Sequence, residues 1–93
     1  MELNAAIKKR LRARAHSLKP IVLIGQNGYS AAVAAAIDEA LADHGLIKVR
    51  LRGIESERRK QVVLDICRDL DTECVGLLGS VATLFRPLPE TRQ

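Results

Sequence analysis

The sequence predicts an α/β fold in which a mixed sheet is flanked by helices, and three observations lead there. Runs with apolar residues at helical spacing alternate with short apolar or strictly alternating runs up to Leu70. Each strand-like run that is followed by a helix implies a crossover to a parallel neighbour. The last two strand-like runs are separated only by Gly79 and Ser80, too short a link for a crossover, so they pair antiparallel. The predicted order is α-β-α-β-α-β-β: a four-stranded mixed sheet in two or three layers, one compact domain spanning residues 1–93. Its core covers about 3–87, and 88–93 form a polar tail.

The first helix is expected from about Asn4 to Ser17. Leu3, Ile7, Leu11 and Leu18 form its apolar stripe, and Lys8, Lys9, Arg12 and His16 lie on the opposite side. Arg14 falls within the stripe, so either its stem snorkels or the helix ends early. Pro20 opens a strand, Ile21 to Ile24, whose unbroken apolar run reads as a central strand covered on both faces, with the first helix as one cover. Ser30 is a suitable N-cap for the second helix, whose Val33, Ile37 and Leu41 lead to a stop at Gly45. In the next strand Ile47, Val49 and Leu51 alternate with Lys48, Arg50 and Arg52, giving one core face and one basic face. Ser56 is expected to cap a third helix with the stripe Val62, Val63, Ile66, Cys67 and Leu70. Strands over about Cys74 to Leu78 and Val81 to Arg86 close the domain, and the leading glycine of Gly79-Ser80 suits a type II′ turn.

Composition narrows the function. A chain of 93 residues with net charge +4 is only moderately basic, but the charge is uneven: residues 1–28 carry six Lys/Arg against the single acid Glu2. Residues 29–93 carry nine Lys/Arg against ten acids. A local cationic footprint of this kind suits a polyanion. No run reaches the roughly 18 to 20 apolar residues of a membrane span, and the start lacks a signal-peptide pattern, so a cytoplasmic protein without a membrane partner is expected. Cys67 and Cys74 match neither a redox pair nor a zinc knuckle and read as core thiols. His16 and His44 have no ligand-spaced companions, so no metal or other cofactor is expected; His44, just before Gly45, suits a helix C-terminus. Asp38, Glu39 and Asp43 form an acidic patch without a nucleophile or base, and no phosphate-loop lysine follows the glycines, which argues against an enzyme or a small-molecule substrate.

The candidate site is Gly25-Gln26-Asn27-Gly28. Two glycines between a strand and a helix start leave backbone N–H groups unshielded beside the positive end of a helix dipole, a geometry suited to phosphate. Gln26 and Asn27 add amide donors. Lys8, Lys9, Arg12 and Lys19 supply nearby cations, and Lys48 and Arg50 either extend that footprint or keep an exposed sheet face hydrated. With one Tyr and one Phe, the chain lacks an aromatic platform for unpaired bases, which favours backbone and shape recognition of folded RNA. Arg58, Arg59 and Lys60 read as a solvated helix start beside Glu55 and Glu57.

The segment His16-Ser-Leu-Lys-Pro-Ile-Val-Leu-Ile-Gly-Gln-Asn-Gly28, followed at helix length by His44-Gly-Leu-Ile-Lys-Val-Arg50, resembles the CRM domain, the chloroplast RNA splicing and ribosome maturation module. The stand-alone bacterial members of that family are YhbY-like proteins, and the resemblance extends over nearly the whole chain. It implies a fold akin to the C-terminal domain of translation initiation factor three. It also implies binding of structured RNA through the Gly-x-x-Gly loop, and association with ribosomal RNA in precursors of the large subunit. Tyr29 departs from the aliphatic residue many relatives carry there; it either stacks on RNA or packs. A monomer is expected. A protein-binding adaptor using the acidic side of the second helix or a sheet edge, and a DNA-binding module using the same cations, are the alternative functions.

Overall fold

The computed structural model describes residues 3–25 and 27–88. Its elements follow the predicted order: α1 (Ala5–Ala15), β1 (Val22–Ile24), α2 (Ala31–His44), β2 (Leu46–Leu51), α3 (Ser56–Leu70), β3 (Glu73–Leu78) and β4 (Val81–Phe85). The four strands form one mixed sheet in the order β1-β2-β4-β3. β1 runs parallel to β2, while β2–β4 and β4–β3 are antiparallel.

The main core lies on one side of the sheet. Ile47, Val49 and Leu51 of β2, with Ile24, Ala82 and Leu84, are buried against Ile37 and Leu41 of α2 and Val62, Val63 and Ile66 of α3. Strand alternation puts Lys48 and Arg50 on the other side, as the period predicts. There α1 packs through a separate, smaller cluster of Leu11, Ala15, Leu46 and Val75, flanked by Leu3, Ile7 and Phe85. The result is three layers: α1, the sheet, and the α2/α3 pair.

Local sequence signals account for most boundaries. The Asn4 and Ser30 side chains accept hydrogen bonds from Ile7 N and Val33 N, satisfying free donors at the starts of α1 and α2. Gly45 ends α2 with φ 77°, and His44 is the last helical residue beside the free carbonyls. Gly79 has φ 59° while Ser80 does not, as a type II′ hairpin requires.

Four expectations need correction. β1 is an edge strand covered on one face only: it has β2 as its sole strand neighbour, and α1 lies over β2, β4 and β3 instead. Ile21, just before β1, and Leu23 are therefore 52% and 50% exposed. The α1 stripe ends in Ala15 rather than Leu18; the helix continues past Arg14, which is exposed, and Leu18 is exposed too. Ser56 does not cap α3 but is its first residue, and the preceding Glu55 makes no side-chain cap. The Arg59 side chain anchors this helix start instead, donating from Nε to Ile54 O (2.8 Å) and from Nη1 to Gly79 O (3.1 Å). Arg59 thus ties the start of α3 to the β3–β4 turn rather than standing free in solvent.

Both cysteines are free and partly buried against the main core. Burial is the main cause that pushes the Cys67 thiol up to about 11 and raises that of Cys74. No helix among the described residues is long and apolar enough to cross a membrane.

Candidate nucleic-acid interface

α1 is only 11 residues long and covers one end of its sheet face, over Leu46, Phe85 and Val75. The rest of that face is open. It forms a hollow of about 690 Å³ whose lining includes Arg12, His16, Lys48, Arg50 and Thr83. Four of its lining residues are basic or histidine and none is a carboxylate. Apolar groups, Leu78, Val81 and Pro20 among them, complete the lining.

Arg12 does not stand free on a solvated helix face. Its Nη1 donates to Val75 O at 2.8 Å, across 63 residues of sequence. A bulge between Cys74 and Gly76 lets this happen, because Val75 turns into the α1 cluster while Gly76 pairs with Thr83. A Cβ on Gly76 would lie 2.8 Å from Arg12 Cδ, so only glycine leaves room for the arginine stem here. Lys8, on the same flank of α1 as Arg12, is partly buried. Lys9 is two residues from Leu11 and therefore on the opposite side of the helix; it is exposed and lines no described hollow. Lys19 follows α1 and lines two smaller hollows, one with Arg14 and His44 and one with Ile21, Leu23 and Arg50.

The glycine turn extends this surface. Leu23 is paired with Arg50, and Gly25 lies two residues further on, about 7 Å at strand rise. Gly28 N donates to Gly25 O at 2.9 Å, closing the turn, and Arg52 N donates to Ile24 O at 2.8 Å beside it. A Cβ at either glycine would meet no atom within 4 Å, so the backbone there is open to a ligand; Gly28 also needs its positive φ of 81°. Asn27 is exposed at the turn, and Gln26 lies outside the described residues. The structure therefore brings Arg12, Lys48 and Arg50 to one hollow and Lys19 beside Arg50, with Gly25 two residues beyond Leu23 at their edge, and leaves Lys9 out of the described hollows.

Two further groups are occupied by packing. Tyr29 lies against the main core and its hydroxyl donates to Asp69 Oδ2 at 3.2 Å, which resolves its role toward packing. Burial and then Asp69 raise its pKa. Asp38, in the acidic patch of α2, is paired with Arg86 at 2.8 Å. Among the described residues no group of three His, Cys, Asp or Glu could hold a metal ion. The sequence gives no local signal that Leu78 and Leu23 are exposed apolar groups, since both stand in runs that are otherwise apolar.

This architecture defines a small three-layer α/β domain with an open, cation-lined sheet face beside a glycine turn. The CRS1 / YhbY (CRM) domain matches residues 3–86, and the chain belongs to that family. It is 34% identical over 90 residues to an "RNA-binding protein" of Haemophilus influenzae, covering 97% of this chain and 91% of that one. A Pseudomonas aeruginosa protein named "Probable RNA-binding protein" is 32% identical over 90 residues, covering 97% of this chain and 86% of its own length. The solution structure of a Staphylococcus aureus protein superposes with a TM-score of 0.85 at 27% identity, covering 98% of this chain and 95% of that one.

Proposed function

We propose that this protein binds structured RNA through the Gly25–Gly28 turn and the open sheet face, and that it does so on ribosomal RNA in precursors of the large subunit. The observation that carries the reading is a surface on which unobstructed glycine backbone adjoins a hollow lined by Arg12, His16, Lys48 and Arg50 without any carboxylate. The Gly28 N–H is spent on Gly25 O, so a phosphate would be taken by the other backbone N–H groups at the turn, and the cations would neutralise its neighbours. The family and the names of the relatives support RNA as the partner. The protein acts as a cytoplasmic monomer and as a binding module rather than a catalyst. Fluorescence anisotropy with an RNA hairpin and a DNA hairpin of the same sequence at matched salt tests this, with tighter binding of RNA expected; equal affinity for both would reject RNA as the intended ligand. Cosedimentation with large-subunit precursors that survives ribonuclease treatment would replace the RNA contact with a protein contact.

A further inference from the structure

We infer that the uncovered sheet face is a platform for unpaired bases, so that the preferred RNA is a duplex interrupted by a bulge or internal loop rather than a continuous helix. This rests on the RNA-binding reading above and specifies the ligand of the same face.

The register carries the argument. Leu78 pairs with Val81, Val81 with Arg50, and Arg50 with Leu23, so four side chains form one row across all four strands. At strand spacing the row is about 14 Å long. Beside it, Gly76 with the Arg12 stem over it pairs with Thr83, and Thr83 with Lys48. Leu78 is 86% exposed and Leu23 half exposed, an unusual display of large aliphatic groups at the two ends of a row that holds Arg50.

Cations alone would suit the phosphates of any duplex. The aliphatic groups would not, because a continuous A-form helix presents phosphates and 2′-hydroxyls while its base faces remain stacked inside. An extruded base offers a bare flat face. Leu78 with Val81 at one end of the row, or Leu23 at the other, can cover such a face, and the planar guanidinium of Arg50 between them can stack on it. The attached phosphates then remain beside Arg12 and Lys48. RNA-recognition modules with a four-stranded sheet hold about two or three bases on aromatic residues. Here aliphatic groups take that place, so the platform accepts bases with little discrimination among them. A second copy of this chain is a poor occupant, because two-fold pairing would set the same cations against each other.

The test uses two RNA hairpins with the same stem, one fully paired and one with a two-nucleotide bulge containing 2-aminopurine. The intact protein should bind the bulged hairpin about tenfold more tightly, with a change in 2-aminopurine emission on binding. The double variant Leu23→Ser, Leu78→Ser alters two exposed side chains and should fold normally. It should keep its affinity for the paired hairpin and lose the preference for the bulge. Equal binding of both hairpins by the intact protein, or an equal loss on both by the variant, overturns the platform while leaving RNA binding in place. Binding of neither hairpin overturns the RNA reading and this inference together. A concentration-dependent dimer in sedimentation that the double variant abolishes would give the face to a second copy and reject the inference.

Discussion

Neutralising Lys48 and Arg50 should change the salt dependence of RNA binding in a way that two other cations do not. Both side chains line the open sheet face, and among the described residues neither takes part in an ion pair. Each phosphate that loses its cation removes about 0.7 to 0.9 from the slope of log affinity against log salt. The variant Lys48→Gln, Arg50→Gln should therefore show a slope shallower by roughly 1.5, equivalent to about eightfold less affinity lost over a fourfold rise in salt. The matched control is Lys9→Gln, Arg58→Gln, which removes the same net charge from exposed positions that line none of the described hollows. It should lower affinity slightly at low salt and leave the slope nearly unchanged. Fluorescence anisotropy titrations at four or more salt concentrations measure both slopes, and melting curves verify folding. Surface changes of this kind usually stay within about 0.5 kcal/mol, or about 4 °C in a domain of this size. Equal flattening by the two double variants would mean that only total charge matters, and the sheet face would lose its claim to the phosphates.

Arg86 donates from Nη1 to Asp38 Oδ1 and Leu70 O, both at 2.8 Å, and from Nη2 to Asp38 O at 3.1 Å, tying the end of β4 to α2 and α3. Arg86→Ala should cost about 2 kcal/mol and lower the melting temperature by roughly 8 to 16 °C; a shift under about 3 °C would show that the clamp is dispensable. Gly25→Ala puts its Cβ into open space and should melt like the parent while weakening RNA binding about fivefold, the equivalent of one backbone contact to phosphate. Gly28→Ala should also destabilise by about 1 to 2 kcal/mol because of its positive φ, and unchanged RNA binding by folded Gly25→Ala would remove the turn from the interface. Cys67 has its thiol pushed up to about 11 by burial, above the ordinary 9.0, so the folded state holds this proton more tightly than the unfolded chain. That contribution is fully present below about pH 9 and is lost as pH rises toward 11; denaturant titrations should show stability falling across this window less steeply in Cys67→Ser, and parallel curves would refute the assignment.

Much of the fold could be read from sequence because its determinants are local. Ser30, Gly45 and Gly79 act through their own backbone geometry, and the alternation in β2 sorts core from basic residues without reference to any neighbour. Apart from the local misplacement of the α3 cap at Ser56, the failures share one cause, dependence on distant partners. An apolar run such as Ile21 to Ile24 looks the same in an edge strand and a central one, and only the strand order with the placement of α1 decides which it is. Arg12, Arg59 and Arg86 look alike in sequence to the free cations around them, yet each is bound to carbonyls brought from elsewhere in the chain. At the site, the glycine turn and the basic residues of β2 were legible. The open apolar row was not, since exposure of Leu23 and Leu78 follows from the shortness of α1 rather than from their own neighbourhood.

The sheet keeps the two apolar clusters apart, and this sets how the molecule comes undone. α1 is held by the few groups around Leu11 and Ala15, while α2 and α3 share the larger cluster, so α1 is the natural first unit to detach. Its release would also free Arg12 from Val75 and dismantle one wall of the hollow. Occupancy of the hollow would therefore lock the amino-terminal helix in place, making amide exchange along that helix a direct gauge of whether the face is filled.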